Sequence, residues 1–135
     1  MKSNRIAFAE AINNATIQAM ELEKKVFVFG IGVDKYGNVF DTTKNIKEKF
    51  GENRIFDTPS SEQALTALAA GAANADLRPV LVHQRLDFMF YSFDQIINWI
   101  SLWSFKSSKK SKLPLTIRAV VGKGWGQGPQ HAKSL

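Results

Sequence analysis

The chain has 135 residues, 44% of them hydrophobic, and no cysteine; this allows one domain with a sizeable core and excludes disulfides, thiolate metal sites and a cysteine nucleophile. The formal net charge is +6, but much of the excess sits in Lys106, Lys109, Lys110 and Lys112 among serines with no interleaved aromatic residues, the pattern of a solvated loop and not of a nucleic-acid surface. Between Ala7 and Met20 the polar residues Glu10, Asn13, Asn14 and Gln18 interrupt the apolar ones, which excludes a signal-peptide core or a membrane span, and a cytoplasmic chain is expected.

Ile6, Ala9, Ile12, Ala15, Ala19 and Leu22 recur at three- and four-residue steps and predict an amphipathic helix, followed by a buried strand, Val26 to Phe29, stopped by Gly30. Gly30, Gly32 and Gly37 mark a loop. Gly30-Ile31-Gly32 follows a strand as a dinucleotide fingerprint would, but the third glycine is misplaced and no helix opens directly after it. Thr42 or Thr43 is expected to cap a short helix running to Phe50, and Arg54-Ile55-Phe56 to form a second strand. A turn forced by Pro59 and a serine cap at Ser60 or Ser61 then put Glu62 in the first turn of the next helix. That helix is so rich in alanine, from Ala64 to Ala75, that it must lie close against another backbone. Pro79 to His83 reads as a third strand. Strand, helix, strand, helix, strand predicts an α/β fold, a mostly parallel sheet with helices on both faces.

Leu86 to Phe105 is apolar on more than one face, the composition of a core helix or of one that meets a partner chain. Beyond the lysine run, Pro114 to Val121 is a fourth strand and Gly122 to His131 a glycine-rich loop. The chain stops at Leu135 with no closing element, so it is expected to be one domain, residues 1–135, truncated at its C-terminus.

Among candidate chemical groups, Glu62 stands out by position, at a strand-to-helix mouth where α/β sheets bind ligands. Alone, a first-turn acid does no more than complement the helix dipole. The glycine-rich loop lacks the Gly-Lys-Ser or Gly-Lys-Thr of a phosphate-binding loop, but its glycines let backbone approach a ligand and present His131. His83, ending an apolar strand, reads as a hydrogen-bonded buried histidine; the two histidines make no metal spacing, and no protein-only metal site is expected. Phe88, Phe90 and Tyr91 could stack on a flat heterocycle or simply fill the core. No serine-histidine-acid order or carboxylate pair marks a hydrolase or glycosidase.

Several motifs taken together carry a resemblance: Gly30, Tyr36-Gly37-Asn38-Val39-Phe40 with Thr43, Phe50-Gly51, Arg54-Ile55-Phe56-Asp57-Thr58-Pro59, Ser61-Glu62, Leu77-Arg78-Pro79, Phe93-Asp94-Gln95-Ile96-Ile97-Asn98, and Gly124-Trp125-Gly126 through His131. In this order, from about Ile6 to Leu135, the chain resembles the β subunit of thiamine-diphosphate-dependent 2-oxo acid dehydrogenases, and within it the transketolase-like pyrimidine-binding domain. The resemblance implies that Glu62 hydrogen-bonds the aminopyrimidine ring of thiamine diphosphate and promotes the imino tautomer that takes the thiazolium C2 proton. It further implies that Phe88 stacks on the pyrimidine, that Gln84 and Tyr91 approach it, and that His131 faces the substrate or the acyl-transfer step. No Gly-Asp-Gly followed at a distance by Asn occurs in the chain, so the Mg2+ and diphosphate are expected on an α-type partner subunit. A β–β contact and a lipoyl-bearing acyltransferase complete the implied partners. The implied activity is oxidative decarboxylation of a 2-oxo acid with acyl transfer to a lipoyl carrier. Ketol transfer of the transketolase or deoxyxylulose-phosphate-synthase kind is the alternative, as is a non-catalytic interaction module. Departures from the family pattern at Ile31, at Tyr91 and at Trp103-Ser104-Phe105 with the lysine run bear on substrate choice and partner contacts.

Overall fold

The computed structural model describes residues 5–35, 37–122, 124 and 126–133; Tyr36, Trp125 and Leu135, each part of a motif or boundary used above, lie outside the described residues. Helix α1 (Phe8–Leu22) leads into β1 (Val26–Gly30); α2 (Ile46–Phe50), β2 (Ile55–Asp57), α3 (Glu62–Asn74) and β3 (Arg78–His83) follow. The remainder is mostly helical up to β4 (Thr116–Ala119), beyond which a short 3-10 turn covers Pro129–His131. The four strands form one sheet in the order β2-β1-β3-β4 with every pairing parallel, in agreement with the expected α/β architecture.

Strand alternation divides the core in two. Val26, Val28, Ile55 and Val82 pack on one face against Met20 of α1 and Ile46 of α2, while Phe29 and Leu81 pack on the other against Leu65 and Ala69 of α3. Phe27, Phe29 and Phe56 stack on that second face with ring centroids 5.4–5.9 Å apart. Helices therefore lie on both faces of the sheet, as the element order requires. Some of the small residues of α3 explain themselves here: Ala69 and Ala73 are buried against the sheet, whereas Ala64, Ala67 and Gly71 are exposed. Arg54 ties the α1–β1 connection to β2 by donating from Nε to the Val26 carbonyl at 2.7 Å and from Nη2 to those of Met20 and Glu23, each at 3.1 Å.

Four local expectations are corrected. Neither Thr42 nor Thr43 caps α2, which starts behind a left-handed Asn45; their hydroxyls donate instead to the carbonyls of Val39 (2.8 Å) and Val33 (2.6 Å), holding the preceding loop. Ser61 occupies the position before Glu62, but its hydroxyl makes no cap bond. Leu86 to Phe105 is not one regular α-helix: α4 (Leu86–Met89) passes through a 3-10 turn (Phe90–Ser92) and a π-helical stretch (Gln95–Ile100) to α5 (Trp103–Lys106). The Ser101 amide donates to the Ile96 carbonyl, five residues back, the bond of a π-helical turn, and Ile97 and Trp99 of this stretch remain exposed. Finally, Gly30 does not stop β1 but belongs to it, paired with Asp57 on one side and Val82 on the other. Among the described residues no helix is long and apolar enough to cross a membrane.

Two of these features yield measurable consequences. Gly30 has φ +148°, and a Cβ there would overlap the Val82 backbone carbonyl, which cannot give way without breaking the ladder. Gly30→Ala is expected to lower stability by about 3 kcal/mol or more, read from the urea midpoint; an unchanged midpoint contradicts the close approach. His83 is 0% exposed, and burial holds its imidazole below the ordinary 6.5, the Glu62 carboxylate opposing this in part. The unfolded chain therefore takes up the proton first, so stability is complete above 6.5 and falls as pH drops through 6.5 toward the lower folded-state pKa. Urea midpoints followed from about pH 8 to about pH 5 should fall less steeply for His83→Gln than for the parent chain.

Candidate functional site

The chain leaves β1 for β2 on one side and returns to β3 on the other, so the strand order switches beside β1. Open α/β sheets bind ligands at that switch, outside the carboxyl ends of the strands. Glu62 stands there. After β2 the Thr58 amide donates to the Gly30 carbonyl at 3.1 Å, Pro59 fixes one backbone angle of the turn, and Ser61 is extended at φ −167°, delivering Glu62 as the first residue of α3. Glu62 is half-buried, and among the described residues its carboxylate accepts no hydrogen bond and forms no ion pair. Its backbone is engaged: Thr66 Oγ1 donates to the Glu62 carbonyl at 2.9 Å, and the same Oγ1 lies 3.2 Å from His83 Nε2.

The loop after β1 is held onto this mouth by Asp57, whose Oδ1 accepts the amides of Gly32 and Val33 (the latter at 3.0 Å) while Oδ2 pairs with Lys35 at 2.6 Å. Gln84, directly after β3, lies across Gly32; a Cβ on that glycine would sit 2.6 Å from Gln84 Nε2. Gly32 thus lets the two loops meet at the switch point.

A second group of residues gathers beyond β3 and β4. The Leu86 amide donates to the Val120 carbonyl at 3.0 Å and Arg85 Nη2 to Gln127 Oε1 at 3.2 Å, drawing the glycine-rich loop toward α4. His131 then packs edge-on against Phe88, ring centroids 5.2 Å apart and planes at 85°. Its Nδ1 is buried without a partner among the described residues. Beside this pair opens a cleft of about 580 Å³ lined by Asp87, Phe88, Phe90, Tyr91, Gln130 and Lys133. The structure therefore brings Phe88, Tyr91 and the His131 turn together. Glu62 and Gln84 do not line that cleft; they sit at the neighbouring switch point, joined to it because α3 packs against α4.

Sequence reasoning missed three contributors. Thr66 gave no signal beyond its place one turn after Glu62. Asp57 was legible only as a motif member, not as the anchor of the β1 loop. The third is the turn at Asn38, Val39, Phe40 and Asp41, four consecutive non-glycine residues with φ between 38° and 62°. This backbone region disfavours a β-branched residue such as Val39. It is held by Thr42 and Thr43 and by Arg118, whose Nη2 donates to Thr42 Oγ1 at 2.9 Å. The turn carries Phe40 out under the Arg85 guanidinium, 5.6 Å from ring centre to Cζ.

Comparison with known proteins gives the arrangement a family. The family profile described as "Transketolase, pyrimidine binding domain" matches residues 4–132. The chain is 33% identical over 132 residues, 98% of its length, to "Pyruvate dehydrogenase E1 component subunit beta-4, chloroplastic" of Oryza sativa subsp. japonica, of which it covers 33%. It is 34% identical over 124 residues to "Pyruvate dehydrogenase E1 component subunit beta-1, mitochondrial" of Arabidopsis thaliana, covering 92% of the chain and 34% of that protein. To "Pyruvate dehydrogenase E1 component subunit beta" of Staphylococcus aureus it is 36% identical over 131 residues, covering 97% of the chain and 40% of that protein. The chain thus spans 33–40% of the length of these curated relatives. The parallel sheet, the acid at the first turn of α3 and the nearly full-length profile match agree: the chain belongs to the transketolase pyrimidine-binding domain family.

Proposed function

We propose that the chain is the pyrimidine-binding part of the β subunit of a thiamine-diphosphate-dependent 2-oxo acid dehydrogenase. The observation that carries this reading is the uncommitted, half-buried Glu62 carboxylate at the switch point, in a chain whose relatives bear the names of pyruvate dehydrogenase β subunits. Thiamine diphosphate, when bound, supplies the nucleophilic carbon that adds to a 2-oxo acid and the electron sink that lets CO2 leave.

The residues present fit the pyrimidine end of that cofactor. Glu62 has an acceptor free for a ring nitrogen, and Phe88 offers an aromatic face next to a cleft of about 580 Å³. In this role Glu62 holds a proton at its carboxylate and exchanges it with the ring, as a positioned general acid–base does. Tyr91, on the 3-10 turn after α4, and Gln84, directly after β3, flank the ring. His131, with one buried nitrogen unpartnered among the described residues, faces the substrate end and moves a proton during acyl transfer. The diphosphate and Mg2+ belong on an α-type partner. An interface with such partners is consistent with Tyr91 and Phe105, 75% and 84% exposed, and with the outward alanines of α3.

In a complex reconstituted with the α-type subunit, Glu62→Gln is expected to lower turnover of a 2-oxo acid by about a hundredfold or more, since an amide does not exchange the proton. Parent-like turnover in a folded Glu62→Gln complex contradicts the assignment. Supplying a lipoyl acceptor should support group transfer; turnover with a sugar-phosphate acceptor alone would establish ketol transfer instead. His131→Ala should slow transfer to the lipoyl acceptor more than it slows CO2 release, and equal loss in both steps removes His131 from the acyl-transfer step.

A further inference from the structure

Two polar side chains, Thr66 and His83, are wholly buried on the apolar face where Leu65, Ala69 and Leu81 pack, at the end of that face nearest the switch point. Their bond pattern can be worked out atom by atom. The Thr66 hydroxyl has one hydrogen, and the bond of 2.9 Å to the Glu62 carbonyl, four residues back in the same helix, takes it. The contact of 3.2 Å between Oγ1 and His83 Nε2 is then a bond in which Nε2–H donates to the hydroxyl. That fixes the neutral tautomer with the hydrogen on Nε2 and leaves Nδ1 bare, buried and without a partner among the described residues. An apolar pair of similar shape would serve the core as well and would leave no orphaned nitrogen. A chain from β3 through His83 and Thr66 to the backbone of Glu62 has another use.

We infer that His83, acting through Thr66, is a positioning residue for Glu62. The imidazole locks the first turn of α3 to the end of β3, so that the Glu62 carbonyl, and with it the carboxylate, keeps a fixed height and rotation over the switch point. This rests on the role proposed for Glu62 above. Neither residue needs to touch a ligand. The effect is one of preorganisation, in which a displacement of about 1 Å at the reacting group costs up to about a hundredfold in rate.

The test uses the α–β complex with four variants. Thr66→Val and His83→Leu remove the link; Thr66→Ser and His83→Gln each retain a group able to make it. In the cofactor-free complex the 15N shifts of His83 should show hydrogen on Nε2 and none on Nδ1. The carbonyl 13C resonance of Glu62 should move in the two link-breaking variants and stay in the two conservative ones. With cofactor and a 2-oxo acid, the link-breaking variants should lose about tenfold in kcat with KM little changed, the conservative ones should recover to within about threefold, and the double variant Thr66→Val/His83→Leu should be no slower than either single one. Hydrogen on Nδ1, an unmoved Glu62 resonance, or full kcat in folded link-breaking variants while Glu62→Gln is inactive would overturn the positioning role and leave the role of Glu62 standing. Full activity of Glu62→Gln would overturn both together.

Discussion

Everything at the functional edge depends on β1 being paired on both sides, to β2 and to β3, with a glycine as its last residue. Gly30 lies against the Val82 carbonyl so closely that no side chain fits, and this contact lets β1 and β3 run together to their carboxyl ends. Because every pairing is parallel, those ends share one edge of the sheet. The Glu62 turn, the Gly32 loop, Gln84 and the glycine-rich loop all leave from that edge. A bulkier residue at position 30 would separate the two strands whose junction is the switch point.

Around that edge the chain builds two groups rather than one. An acid backed by a buried threonine–histidine pair stands over β1 and β3; an aromatic and imidazole pair lies beside a cleft beyond β4. The turn at Asn38–Asp41 adds a local cost of about 1–2 kcal/mol per left-handed residue. Its supports come from different elements, since Thr42 and Thr43 after the turn bond into it and Arg118 on β4 donates to the Thr42 hydroxyl. Strain held this firmly fits a surface that must present Phe40 in one orientation.

The fold was legible because the apolar alternation of Val26–Phe29 and Pro79–His83, and the glycine, proline and alanine punctuation between elements, point to the same parallel sheet. Glu62 was legible because Pro59 and the helix start leave it only one place to be. Other features depend on atoms that meet across the chain and so escape one-dimensional reading. Thr42 and Thr43 have the composition of caps, yet the carbonyls of Val39 and Val33 compete for their hydroxyls and win. The Leu86–Phe105 segment shows its apolar content but not its π-helical widening, which lies where the segment packs against α3. Gly30 looks like a strand stop because glycine usually is one; the close approach that makes it a strand residue is a tertiary fact. His83 could be read as buried and hydrogen-bonded, but its partner, Thr66, lies 17 residues away in sequence.

The central claim is that this edge is a pyrimidine half-site governed by Glu62. It is tested most directly by a crystal structure of the chain with its α-type partner and thiamine diphosphate, in which the distance from the Glu62 carboxylate to the aminopyrimidine ring nitrogen is measured. The account predicts a hydrogen bond of about 3 Å or less, with Phe88 against the ring. A ring held by other residues, with Glu62 turned to solvent, would contradict it.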